Sequence, residues 1–210
     1  MTVQSHEKAK WNLRESKLLK TPTRPFNYAV IQIQSTNDNK SGMNHGDFIA
    51  FNSLFQTHVE KIFGTDKAIL VNGNRHWRNI CTADTSRDNR SVAEQKILVK
   101  ITEAQSWGAQ IIIVILTSKS GRDYSMVKRA GDLVVGVPTV CLQAKNSALR
   151  HHQRKDDFIA NILLKVNMKL SNENANHTIQ SLAVNSIRPK LLETRTLMVG
   201  LDVVSCQVST

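Results

Sequence analysis

Two pairs of side chains, each spaced four residues apart, carry the chemistry open to this sequence. Tyr124 and Lys128 form one pair; Lys165 and Lys169 form the other, with Asn161 a further turn back. In a helix that spacing places both members on one face, so each pair delivers its polar groups to one place. Two ammoniums one turn apart repel weakly, and a bound anion reverses that cost. An aromatic ring beside a lysine suits a nucleotide better than a bare phosphate, because the ring can stack on a base while the cation neutralises charge. Taken singly, each pair has a plainer reading. Lysines at this spacing commonly line a solvated helix face, and a lone tyrosine commonly packs against the core.

The elements that must hold these pairs alternate between two periodicities. YAVIQI (28–33), KAILV (67–71), IIIVIL (111–116) and VPTVCL (137–142) read as strands. IIIVIL is apolar on both faces, the mark of a central strand in a parallel sheet covered by helices. Between the strands, Phe48, Phe51, Phe55, Val59 and Ile62 recur at helical spacing, with Gly64 placed to close that helix. Ser91 and Glu94 read as a capping box ahead of Ile97, Ile101 and Ala104, with Gly108 at the far end. A helix is expected over about 123–133. Another ends at Leu170, its core stripe formed by Ile159, Ile162, Leu163, Val166 and Leu170.

Strand alternating with helix four times predicts an α/β fold: a Rossmann-like open, mainly parallel sheet with helices on both faces. Ligands of such sheets bind off the carboxyl ends of the strands. Tyr124 and Lys128 then fall in the first turns after a strand-to-helix loop, where free N–H groups and the positive helix end attract phosphate. The two pairs sit on helices that follow neighbouring strands.

The 210 residues include 28 Lys and Arg against 17 Asp and Glu, for a net charge of +11. That excess points to a polyanionic partner, nucleic acid before anionic membrane. No apolar run approaches the roughly 20 residues of a membrane helix, and the first residues lack the apolar centre of a signal peptide, so an intracellular, cytoplasmic protein is expected. Cys81, Cys141 and Cys206 are scattered and follow no metal-ligand spacing. His151-His152 lies in a basic loop with no carboxylate at ligand distance, and reads as a solvated or phosphate-facing pair rather than a metal site. The glycine-rich phosphate loops and the zinc-protease and serine-hydrolase motifs are all missing, and no cofactor is expected.

The string DYSMVKRAGDLVVGVPTVCLQAKN, followed by FIANILLKVNMKL, resembles the MID domain of eukaryotic Argonaute proteins, fungal members included. The family pattern is a tyrosine and lysine four apart, then "KR.GD…G..TQC…KN", then "N…KIN.KL" about twenty residues on. The likeness is close over 110–170. It is weaker at KWNLR (10–14), which looks like the end of the linker before MID, and at MVGLDV (198–203), which looks like the first strand of PIWI. It implies a linker at 1–26, a MID domain at 27–190 and the start of a PIWI domain at 191–210.

The same resemblance implies that the chain holds the 5′-monophosphate of a small guide RNA and stacks its first base. Tyr124 would be the stacking ring, and Lys128, Lys165 and Lys169 the phosphate ligands. Thr117, Ser118, Lys119, Ser120, Gly121, Arg122 and Asp123 would form the loop that senses the first base, and Gln143, Asn146 and Asn161 would lie near the first nucleotides. The other Argonaute domains are implied partners, and the chain is expected to be a monomer. Three features depart from the pattern. Val140 stands where the family usually carries a phosphate-contacting glutamine, which removes one donor. Ser171-Asn172 replaces a glycine pair. Asp202 matches the first carboxylate of the PIWI nuclease, but the remaining carboxylates have no counterpart, and one carboxylate cannot hold the paired metals of a two-metal cleavage. No catalysis is therefore expected. A guide-directed slicer fragment and a Rossmann-like domain for a phosphorylated metabolite are the alternatives.

Overall fold

The apolar run after Pro25 forms β1 (Phe26–Gln34), the longest strand of a computed structural model that describes residues 22, 24–35, 42–64, 67–71, 81–118, 121–147 and 155–170. β1 pairs in parallel with β2 (Ala68–Leu70), β3 (Cys81–Asp84) and β4 (Ile111–Leu116), and β4 pairs in parallel with β5 (Thr139–Gln143). The order is β2-β1-β4-β5, with β3 sharing β1's outer side with β2. The connections are α1 (His45–Phe63), α2 (Arg90–Ser106), α3 (Gly121–Lys128), the short α4 (Ala144–Ser147) and α5 (Lys155–Leu170). The expected α/β architecture with a parallel sheet is present.

Alternation along each strand sorts the side chains into two cores. Tyr28 and Val30 of β1, Ile111, Ile113 and Ile115 of β4, and Val140 and Leu142 of β5 pack with α1 and α5. Ala29, Ile31 and Ile33 of β1, with Ile112, Val114 and Leu116 of β4, pack with α2 and α3 on the other face. All six residues of β4 are buried, so IIIVIL has no polar face because neither face meets water. The buried stripe of α5 comprises Ile159, Ala160, Ile162, Leu163, Val166 and Asn167. Leu170 is only partly buried against it.

Three local readings change. β3 (CTAD) has no strand pattern of its own; pairing of Cys81–Asp84 with Ile31–Gln34 makes it a strand. α2 begins one residue ahead of Ser91, and its N-cap is Asn89, whose Oδ1 accepts the Val92 N–H at 3.0 Å. Glu94 does not close a capping box but pairs with Arg90. The full capping box lies instead on α1: Asn44 accepts from the Asp47 N–H at 2.9 Å, and the Asp47 carboxylate accepts from the Asn44 N–H at 3.0 Å. Gly64 closes α1 as expected, at φ +102°. Of the segments expected to flank the domain, 191–210 and most of 1–26 lie outside the described residues, as do Ser171-Asn172, Asp202, Cys206 and His151-His152. Among the described residues, no helix is long and apolar enough to cross a membrane.

The helix expected at 123–133 is α3 continued by a wider π-helical segment, Arg129–Val135, ending at Gly136 in the left-handed region with φ +77°. Gly131 lies against β5 in this segment. A Cβ there would sit 2.3 Å from Thr139 Cγ2 and 3.1 Å from the Val137 carbonyl. Gly131→Ala should therefore push the segment off the strand and destabilise the fold by about 1–3 kcal/mol, read as a lower urea midpoint at unchanged slope.

Candidate functional site

Among the described residues β5 is the last strand of the sheet, with β4 as its one strand partner. The Ile112 N–H donates to the Pro138 carbonyl, so the parallel ladder turns the backbone groups of Pro138, Val140 and Leu142 toward β4. Those of Thr139, Cys141 and Gln143 face outward. An exposed edge of this kind must find partners or pair with another chain. At Thr139 the partners come from α3 and its extension. The Asp132 carboxylate accepts from both the Thr139 N–H and its hydroxyl, at 3.1 Å each. The Lys128 ammonium donates to the Thr139 carbonyl at 2.5 Å and to its hydroxyl at 2.8 Å. Lys128 also lies 3.4 Å from Asp132 Oδ2. The recognisable run KRAGD…G..T is thus a lock that seats a helix on the free edge of a strand.

One step along that edge is Cys141, at the rim of a cleft of about 260 Å³ lined by Leu116, Ser118, Gly121, Tyr124, Cys141, Leu142 and Gln143. The cleft opens at the carboxyl ends of β4 and β5, where an open α/β sheet binds its ligands. Tyr124 is half exposed, and the Lys128 ammonium lies 5.9 Å from the centre of its ring. Burial pushes the Cys141 thiol up to about 11; Lys128 opposes this, Asp132 adds to it, and Lys169 and Lys165 also pull it down. All three lysines therefore lie close enough to act on one sulfur. Lys128 arrives from the α3 face of the sheet, and Lys165 and Lys169 from the α5 face.

The structure divides the sequence-derived residues. Tyr124, Gln143, Ser118 and Gly121 share the cleft, and Lys128 flanks it. Lys165 is exposed and Lys169 half-buried; neither lines the cleft, and both reach it only through their field at Cys141. Thr117 and Asp123 stand at the two ends of the loop. Thr117 Oγ1 accepts the Ser35 N–H at 3.1 Å, while Asp123 is buried in the first turn of α3, where its charge suits the positive helix end. Arg122 is exposed, with one N–H directed at the Asp88 carbonyl. Asn161 is exposed on α5 away from the cleft lining. Lys119, Ser120 and the Asn146 side chain lie outside the described residues. Val140 is buried among the aliphatics that face α5. Asp132, Thr139 and Cys141 were not picked out as site residues, since their role depends on β5 being an edge, which periodicity does not reveal. Among the described residues no group of three or more His, Cys, Asp or Glu side chains could hold a metal.

With its thiol raised by burial, Cys141 should stay protonated and alkylate slowly with iodoacetamide at pH 8, and react fast in denaturant. Peptide mapping of the labelled chain checks this.

Residues 111–210 match the Piwi domain family. The fold is similar to that of Kluyveromyces polysporus Argonaute with a guide RNA, at 17% identity and a TM-score of 0.58, over 85% of this chain and 18% of that one. It is also similar to the C-terminal lobe of a budding yeast Argonaute, at 19% identity and a TM-score of 0.55, over 85% and 32% of the two chains. Drosophila Piwi matches at 15% identity and a TM-score of 0.50, over 74% and 18%. The chain spans a third or less of the length of each of these three structures. Over residues 111–210 the chain is thus similar to the Piwi domain family, and its fold is shared with Argonaute and Piwi proteins.

Proposed function

We propose that this chain binds the 5′-monophosphate and first base of a small guide RNA, as the MID module of an Argonaute-like RNA-silencing protein. Its domain would span about 27–190, with linker before it and the start of PIWI after it. The observation that carries this reading is the cleft at the carboxyl ends of β4 and β5, where the half-exposed Tyr124 ring stands with the Lys128 ammonium 5.9 Å from its centre. A terminal phosphate bears up to about two negative charges, which Lys128 of α3 and Lys165 and Lys169 of α5 would offset. The outward N–H of Cys141 is a backbone donor for the same oxygens. Tyr124 offers a face on which a base can stack, with Ser118 and Gln143 in the same cleft to meet its polar edge. The guide RNA bound to the Kluyveromyces relative is consistent with this ligand class. Holding the 5′ end of the guide is the role proposed for these residues.

The test compares 5′-phosphorylated with 5′-hydroxyl RNA oligonucleotides, with a free nucleoside monophosphate as a third ligand. The phosphorylated RNA should bind tightest, and its affinity should fall with salt. Lys165→Ala or Lys169→Ala should each weaken its binding by about 1–3 kcal/mol, and Tyr124→Ala by about 1–3 kcal/mol through lost stacking. Equal affinity for the two RNA ends would rule the reading out. A mononucleotide bound as tightly as the oligonucleotide would favour a metabolite site.

A further inference from the structure

Lys128, assigned above to the phosphate, is already saturated. An ammonium has three N–H donors, and here they meet the Thr139 carbonyl at 2.5 Å, the Thr139 hydroxyl at 2.8 Å and Asp132 Oδ2 at 3.4 Å. The three contacts are unequal. Those to Thr139 are short and belong to the lock on the strand edge. The one to Asp132 is long and holds nothing else in place, because Asp132 is anchored through its other oxygen, Oδ1, to the Thr139 N–H and hydroxyl. An incoming anion can therefore take the third donor of Lys128 without opening the lock.

We propose that Asp132 is the resident counter-ion of this site: a terminal phosphate displaces its Oδ2 from Lys128, and the carboxylate that stays behind sets how strongly phosphorylated ends are preferred. The inference rests on the functional reading above and deepens it. The field at Cys141 shows that Asp132 is part of the site's charge, since it acts on the same thiol as the three lysines and with opposite sign. The pocket's net charge is thus lower than its lysine count suggests, and position 132 is where that balance is set. A phosphate gains from Lys128 only the difference between its own contact and the one it replaces.

Asp132→Asn tests this, because it keeps an acceptor for Thr139 while removing the charge. Affinity for 5′-phosphorylated and 5′-hydroxyl RNA is measured at low salt in the full chain, together with thermal stability. The expected result is a phosphate preference raised about threefold or more, the size of one unit charge removed some 6 Å away in a watery site, with 5′-hydroxyl binding little changed. Glu60→Gln, the same charge change on an exposed position of α1, should leave the preference where it was. Lys128→Ala should also cost more in the parent than in combination with Asp132→Asn, because only in the parent does it leave a bare carboxylate facing the phosphate. An unchanged or reduced preference in Asp132→Asn would overturn the proposal, as would equal costs of Lys128→Ala in both backgrounds. Should Asp132→Asn fail to fold, Asp132→Ser is the second variant, and failure of both would show residue 132 to be purely structural. A parent chain that does not distinguish the two RNA ends would refute the functional reading itself, a result separate from either of these.

Discussion

The edge of β5 that faces away from β4, free of any strand among the described residues, is the constraint on which the site depends. A parallel strand at the border of a sheet leaves every second N–H and carbonyl without a neighbour, and each must be satisfied or left to attract another chain. At Thr139 the chain meets this need internally, with one carboxylate and one ammonium from the helix that follows β4. The same two side chains then stand beside Cys141, where the next outward N–H lies. Edge protection and the electrostatics of the cleft are thus two results of one arrangement.

A sheet buried on both faces adds the second requirement. Because β4 has no polar face, helices must cover it on both sides, and of these α3 and α5 reach β5. Lysines on α3 and α5 can then approach β5 from opposite sides, which no single helix could achieve. Lys169 sits in the last turn of α5, where the helix dipole favours cations. Its charge is stabilised there even without a ligand, at the expense of the field it offers an anion.

Much of this was legible in the sequence because the relevant signals are local. IIIVIL declares a two-sided burial, the phenylalanine spacing of α1 declares an amphipathic helix, and the i, i+4 pairs declare which side chains share a face. Hidden were the features that depend on pairing at a distance. β3 has no pattern of its own and exists because β1 is long enough to accept it beyond β2. Asn89 displaced Ser91 as a cap because both are good acceptors in nearby positions, and only the path of the chain chooses between them. The saturation of Lys128 was invisible for the same reason. Its partner Asp132 is readable at i+4, but Thr139 becomes a neighbour only once β5 has docked.

β2 and β3 pair with successive parts of the same side of β1, on the border opposite β5. With β1 and β4 interposed, at roughly 4.8 Å per strand, the two borders are about 14 Å apart. Ile69, exposed on β2, is consequently a natural labelling point of the molecule. A fluorophore attached through a cysteine at that position would report on the domain from the border remote from Lys128, Lys165 and Lys169.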